Sequence, residues 1–374
     1  MISGCASSTG TIRYRDRFPQ FVAAGHFRQP LHVSDFAELW LASIGLGTYL
    51  GETDTNADQG YTAAITYALQ HGINVLDTAV NYRNQRSERN IGTALKRLID
   101  AGEVARDEVL VCTKAGYMPF DGDLPPDPGG YLRKEYVESG LAPMEEIAGG
   151  SHCMAPAYLA DQLERSRRNL GLQTIDVFYL HNPETQLGQV PPDVFYERVR
   201  RAFEFLESAV RDGKIRCYGV ATWNGFRANP ADRGYLGLER VIATATLVAG
   251  EDHHFRFVQL PFNLAMLEAF AYGNQMRNGD PASLLKQAPD FGVAVVASAT
   301  LYQGNLAQGL PSELKLSLGA ENDALAALQF ARSATNLTCA LVGMGNREHV
   351  AENLRIAAQP ALHREQWEGL FTRH

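Results

Sequence analysis

Four side chains at the ends of apolar runs frame the chemistry of this chain. Asp77 closes "INVLD", Tyr82 stands five residues beyond it, Lys114 closes "VLVCTK" and His181 closes "IDVFYLH". A free phenol has a pKa of about 10 and is a poor acid at neutral pH. An ammonium beside it stabilises the phenolate and lowers that value. A carboxylate next to the lysine holds it charged and in place, and a neutral imidazole can donate a hydrogen bond to a substrate oxygen. The four types together suit protonation of an alkoxide as it forms at a carbonyl receiving hydride. Singly, each has a plainer use: a turn residue for Asp77, a solvated charge for Lys114, packing for Tyr82, a turn contact before "NPE" for His181. Their arrival at successive run ends favours the chemical reading.

Such residues need strands to bring them together. Apolar runs occur at Ser43–Thr48, Ile73–Asp77, Val109–Lys114, Ile175–Leu180, Cys217–Ala221, Phe257–Leu260, Val293–Ala297 and Cys339–Gly343. Between them lie helical patterns at Gln59–His71, Glu88–Ala101 with Ser87 placed to cap it, Pro156–Leu170 ending at Gly171, Asp193–Asp212, Asn322–Thr335 and Arg347–Ala358. Continuous rather than alternating runs suit strands covered on both faces. Eight of them separated by helices predict an α/β fold, a (β/α)8 TIM barrel, in which strand ends gather at one face. A single domain over 1–374 is expected. Within it, residues 1–40 ("TIRYRDRF", "FRQPLHV") read as a β-hairpin before the barrel. Residues 116–155, rich in Pro, Gly and acids, read as a lid-like insertion after the third strand.

These segments carry a likeness to a known family. "GINVLDTAVNY…SERNIGTAL", "VCTKAG", "IDVFYLHNPE", "KIRCYGVATWN", "VQLPFNL", "SATLYQGNL" and "ALVGMGNREHVAENL" resemble the aldo-keto reductase superfamily over roughly residues 40 to 358. The resemblance implies a barrel with an open nicotinamide site and the tetrad Asp77, Tyr82, Lys114 and His181. Tyr82 would be the general acid/base, Lys114 its pKa modulator, Asp77 the lysine's partner and His181 the carbonyl-orienting donor. It further implies a cofactor site from Gly47 and Thr48, Gln259, and Ser298, Leu301, Gln303 and Gly304 over the pyrophosphate. Gly343, Gly345, Asn346, Arg347, Glu352 and Asn353 would meet the adenosine end, at a helix start suited to an anion. Where members usually carry Ser-Asn, this chain has Ala221-Thr222, so Thr222 is left to supply a hydroxyl. Gly343 replaces a common lysine, which makes Arg347 the cation there. NADP(H) is the expected cofactor and NAD(H) the alternative. Tyr49, Tyr117 and Trp223 are candidate substrate contacts.

The expected activity is reversible reduction of a small-molecule carbonyl to an alcohol. Two other uses stay open at this level. A tightly held nicotinamide could serve redox-neutral epimerisation, with the insertion retaining an intermediate, or the barrel could be a non-catalytic binder, which the Ala221-Thr222 departure favours. A net charge of -8 argues against nucleic-acid or anionic-membrane partners. No apolar run approaches the roughly 20 residues needed to span a bilayer, and "MISGCASSTG" reads as neither a signal peptide nor a lipoprotein signal. Five cysteines without a CxxC pair point to a reducing, cytoplasmic setting. No metal is expected, because adjacent His253 and His254 would point to opposite faces of a strand.

Overall fold

Parallel strands buried on both faces need continuous apolar sequence, and the eight expected runs supply it. The computed structural model describes residues 1–371. Two short helices, Ser8–Asp16 and Pro19–Ala23, and a two-residue antiparallel ribbon, β1 (Phe27–Arg28) with β2 (Leu41–Ala42), precede the barrel. The barrel strands are β3 (Ile44–Gly47), β4 (Val75–Asp77), β5 (Leu110–Ala115), β6 (Ile175–His181), β7 (Ile215–Ala221) and β8 (Phe255–Pro261). A second ribbon, β9 (Gln275–Arg277) with β10 (Asp280–Ala282), comes before the last two, β11 (Ala294–Ser298) and β12 (Leu337–Gly343). All eight pair in parallel in chain order, and β12 closes on β3. Val75, Leu110, Val177, Phe257 and Leu341 fill the interior, with Cys112, Cys217 and Cys339 among them as small buried hydrophobes. Among the described residues, no helix is long and apolar enough to cross a membrane.

Strand β4 starts later than its apolar run because Asn74 is spent on the backbone. Its Oδ1 accepts the Ala42 N–H at 2.9 Å and its Nδ2 donates to the carbonyls of Trp40 and Glu108. The helix after it spans Arg86–Asp100, and Ser87 is not its cap. The Ser87 hydroxyl donates to the Thr48 carbonyl at 2.8 Å, and Gln85, at φ 72°, stands at the N-cap. Helix Leu238–Ala249, between β7 and β8, escapes a pattern reading because its run of Val, Ile and Thr favours strand locally.

The N-terminal hairpin is corrected by the structure. "TIRYRDRF" lies in and just after the helix Ser8–Asp16, because Ser7 Oγ accepts the Gly10 N–H and the helical period puts Thr11 and Tyr14 together on a buried face. Strand alternation would have grouped Thr11 with Arg13 and Arg15. Tyr14 Oη donates to the Leu69 carbonyl at 2.7 Å. Only Phe27–Arg28 is strand, and it pairs with Leu41–Ala42. Residues 1–40 close the barrel floor: Phe36 meets Phe257 edge to face, and Val33, Leu39 and Ala6 join the interior cluster.

Residues 116–155 form an ordered excursion with a short helix, Pro128–Leu132, and a π-helical turn, Arg133–Val137. Tyr136 is fully buried, its Oη donating to the Pro119 carbonyl. Four acids of the segment pair with arginines of the neighbouring helices: Asp121 with Arg89, Asp123 with Arg86, Glu135 with Arg165 and Glu146 with Arg201. It therefore lies against helices Arg86–Asp100, Pro156–Leu170 and Pro192–Arg211.

One buried carboxylate ties the floor together. Asp176 accepts from the Ala6 N–H at 2.7 Å, the Val111 N–H at 2.8 Å and Arg106 Nη2 at 2.6 Å. Asp176→Ala leaves the buried Arg106 guanidinium without its counter-charge and two N–H groups without their acceptor. It is expected to lower unfolding stability by about 3–5 kcal/mol in urea titrations. A change under about 1 kcal/mol would show that the floor does not depend on this carboxylate.

Candidate active site

The C-terminal ends of β4, β5 and β6 carry Asp77, Lys114 and His181 to one mouth of the barrel. Lys114 Nζ lies 2.5 Å from Asp77 Oδ1 and donates to the Thr78 carbonyl at 2.7 Å. The second Asp77 oxygen, Oδ2, accepts from Gln259 Nε2 on β8 at 2.8 Å. Lys114 Nζ also sits 4.9 Å from the centre of the Tyr82 ring. Burial works against the lysine's charge, but Asp77 and Tyr82 outweigh it and hold the ammonium above its usual range.

Tyr82 reaches this spot from a loop, not a strand. Arg83, Asn84 and Gln85 all have left-handed backbones, φ 48°, 53° and 72°, a sequence of conformations that costs free energy unless its surroundings enforce it. The enforcement comes from Arg83, whose guanidinium donates to the Glu52 carbonyl, Asn90 Oδ1 and Asp58 Oδ1 at 2.7–2.8 Å. Burial pushes the Tyr82 phenol up, and Lys114 opposes this only in part. The lowering expected from the ammonium alone is thus outweighed, and the phenol stays protonated. His181 meets Tyr82 edge-on at 5.7 Å and Tyr117 at 5.4 Å. Burial, with the Lys114 charge, holds its imidazole well below the usual range, so the ring is neutral. Its Nδ1 is buried without a partner among the described residues, which leaves Nε2 as the nitrogen open to the cavity.

A cavity of 590 Å³ opens over this cluster. Gly47, Thr48, Asp77, Tyr82 and His181 line its floor, with Lys114 beneath; Thr222 and Gln259 line one side. Tyr49, Tyr117 and Trp223 form an aromatic rim, Tyr49 packing on Tyr82 at 5.0 Å. Ser298, Leu301, Gln303 and Gly304 cover the next stretch, and Gly343, Glu352 and Asn353 close the far end. Besides Lys114, three residues expected at the cofactor stay outside the wall. Gly345 presses its carbonyl against Gly60, where a Cβ would come within 2.7 Å, and Asn346 caps helix Arg347–Ala357 through the His349 N–H. The Arg347 guanidinium lies over the Tyr67 ring at 4.6 Å. No lysine or arginine among the described residues lines the cavity.

The sequence reading passed over Asn81, Asn182 and His349, which also line it. His349 precedes Glu352 by one helical turn, and that spacing was the available signal. Glu184 also went unnoticed. Its Oε1 accepts the N–H groups of Trp223 and Asn224 at 2.7 and 3.0 Å and anchors the loop after β7. The insertion contributes Tyr117 to the wall; the rest of residues 116–155 is absent from it.

Residues 43–370 match the family model described as Aldo/keto reductase family. The chain belongs to the aldo/keto reductase family. It is similar to the NADH-specific methylglyoxal reductase of Escherichia coli strain K12, 27% identical over 197 residues, 51% of each chain. It is also similar to the L-glyceraldehyde 3-phosphate reductase of the same strain, 28% identical over 188 residues, 50% of this chain and 43% of that one. The chain thus spans about half the length of the curated relatives it matches. An aldo/keto reductase from Klebsiella pneumoniae, solved with NADP and acetate, shares the fold with a TM-score of 0.59 and 21% identity, over 90% of this chain and 92% of that one.

Glu184→Ala removes the acceptor that holds the loop after β7. Amide exchange at Trp223 and Asn224 is expected to accelerate at least about tenfold, the effect of losing roughly 1.4 kcal/mol of local protection. Unchanged exchange would mean that other contacts hold the loop.

Proposed function

We propose that the chain reduces an uncharged carbonyl compound, or oxidises the corresponding alcohol, using a nicotinamide dinucleotide. The observation that carries this reading is the buried Lys114–Asp77 pair beneath a protonated Tyr82, with a neutral His181 beside it, at the mouth of one cavity. His181 Nε2 would orient the carbonyl oxygen, and Tyr82 would give its proton to that oxygen as charge develops. Lys114 stabilises the phenolate left behind, and Asp77 keeps the ammonium in place. In the reverse direction the phenolate takes the proton back.

The cavity fits a dinucleotide on two counts. Among the described residues the Thr222 hydroxyl is buried without a partner, and the backbone at Gly304 and Gly343 is bare, with nothing within 4 Å of where a Cβ would stand. When bound, the cofactor supplies or accepts hydride. Thr222 and Gln259 would hold its nicotinamide end, the 298–304 loop its pyrophosphate and Glu352 and Asn353 its adenosine. The Klebsiella pneumoniae relative holds NADP, whereas the Escherichia coli relative is named NADH-specific. NADP(H) is our assignment here, with the exposed Arg347 turning from Tyr67 to meet the extra phosphate. The aromatic rim and the absence of cations in the wall favour a neutral substrate over a phosphorylated or carboxylated one. Five unpaired cysteines agree with a reducing, cytoplasmic setting. Redox-neutral epimerisation loses its motivation, since the insertion meant to retain an intermediate reaches the cavity only through Tyr117.

Tyr82→Phe is expected to lower kcat for aldehyde reduction about 10²- to 10⁴-fold while nucleotide affinity stays within about twofold. Turnover within a few-fold of wild type would remove Tyr82 from its role. Fluorescence titration should show NADPH binding tighter than NADH, with Arg347→Ala erasing about fivefold or more of the difference. Tighter binding of NADH, unaffected by Arg347→Ala, would transfer the assignment to NAD(H).

A further inference from the structure

Hydrogen bonds tether the Asp77 and Lys114 side chains, whereas His181 is held differently. Among the described residues its ring makes no hydrogen bond, so its angle comes from its backbone and from the two tyrosine edges against it. That backbone is where β6 leaves the barrel. His181 pairs with Ala221 as the last rung, and Asn182 turns left-handed at φ 46° while its N–H bonds the Ala221 carbonyl at 2.6 Å. The His181 carbonyl faces the insertion and accepts a hydrogen bond from His152 Nε2 at 2.8 Å.

His152 is fully buried and its tautomer is determined. Arg198 donates to Gln186 Oε1, which orients that amide so that its Nε2 donates to His152 Nδ1 at 3.1 Å. With Nδ1 an acceptor, the proton is on Nε2 and points to the His181 carbonyl. Arg198 is fixed in turn by the Glu145 carbonyl at 2.7 Å. Burial takes the His152 pKa down to about 4, so the ring stays neutral through the physiological range. Room for the contact exists because residue 116 is glycine: a Cβ there would lie 2.5 Å from the His181 carbonyl oxygen and 2.8 Å from His152 Nε2. Tyr117 packs nearly perpendicular to both histidines, its ring centre 5.0 Å from that of His152 and 5.4 Å from that of His181.

We propose that His152, carried on the far end of the insertion, is a positioning residue that sets the angle at which the His181 imidazole meets the cavity. The insertion then acts as a brace. Its two ends are joined by the Cys153 N–H to Gly116 carbonyl bond and by the Tyr117–His152 pairing, and together they clamp the strand end that bears His181. Without the Nε2–H the buried carbonyl has no donor, and the peptide between His181 and Asn182 rotates to find one, taking the ring with it. The catalytic consequence rests on the function proposed above; the structural claim does not.

The test compares His152→Leu, which deletes the donor, with His152→Gln, whose amide N–H can replace it. With NADPH and a small aromatic aldehyde, His152→Leu is expected to lower kcat about 10- to 100-fold with nucleotide affinity within about twofold, the scale of a misplaced orienting group. His152→Gln is expected to recover most of the loss. A kcat within about threefold in His152→Leu overturns the proposal, as does a loss in His152→Gln equal to that in His152→Leu. If His152→Leu does not fold, Gln186→Met releases the tautomer; it is expected to lower kcat about 3- to 10-fold, and an unchanged kcat overturns the proposal. Imidazole nitrogen NMR separates this claim from the functional one. If wild type turns over no carbonyl compound, the functional reading fails. The His181 signals should still move in His152→Leu and stay in place in His152→Gln, and signals unmoved in His152→Leu overturn the brace.

Discussion

A lysine ammonium taken wholly out of water is the constraint around which the barrel mouth is arranged. None of the Lys114 residue is exposed, and a buried charge is tolerated only when its protons are accepted. Asp77 and the Thr78 carbonyl do this, and they can because β4 and β5 are paired neighbours, with Asp77 opposite Cys112, two residues before Lys114. Other states follow from that pair. Gln259, across the barrel, completes the carboxylate. His181 is kept neutral by burial and by the positive charge near it, while burial keeps Tyr82 protonated against the pull of the same charge. A charged amine, a neutral imidazole and an intact phenol are the combination the proposed reduction requires.

Strands place three of the four groups, and loops place the rest of the site under tension held by buried polar contacts. Tyr82 depends on three successive left-handed residues that Arg83 pins through Asp58 and Asn90. The loop after β7, beside Thr222, depends on Glu184. The end of β6 depends on His152. In the first case the loop's own arginine ties it to side chains of two helices, and in the other two a side chain from elsewhere pairs loop or strand-end backbone, which is how irregular chain is made rigid enough to orient a ligand.

The barrel was legible because its strands are short continuous apolar runs, three of which close on a polar residue at the barrel mouth. Asp77, Lys114 and His181 are those terminators, so the element and the chemistry were read from the same residues. The hairpin reading of "TIRYRDRF" went wrong where local pattern is ambiguous, since arginines alternating with apolar residues fit a strand as well as a helix edge until Ser7 and the burial of Tyr14 decide. Helix Leu238–Ala249 was obscured by the opposite conflict, β-branched residues serving a helix packed on the helix Pro192–Arg211.

By itself the sequence determined the periodicities, hence the eight strands, their order and the residue types at their ends, since these are properties of neighbouring residues. Tertiary structure decided the rest, because each remaining feature depends on groups far apart in the chain. Arg347 faces Tyr67, some 280 positions earlier, and not the cavity. Acids of the insertion are drawn to Arg86, Arg89, Arg165 and Arg201 on three helices, which lays that segment along the barrel's side. His152 finds the His181 carbonyl only once the fold removes both from water, and there an unpaired hydrogen-bonding group costs more than the order needed to pair it.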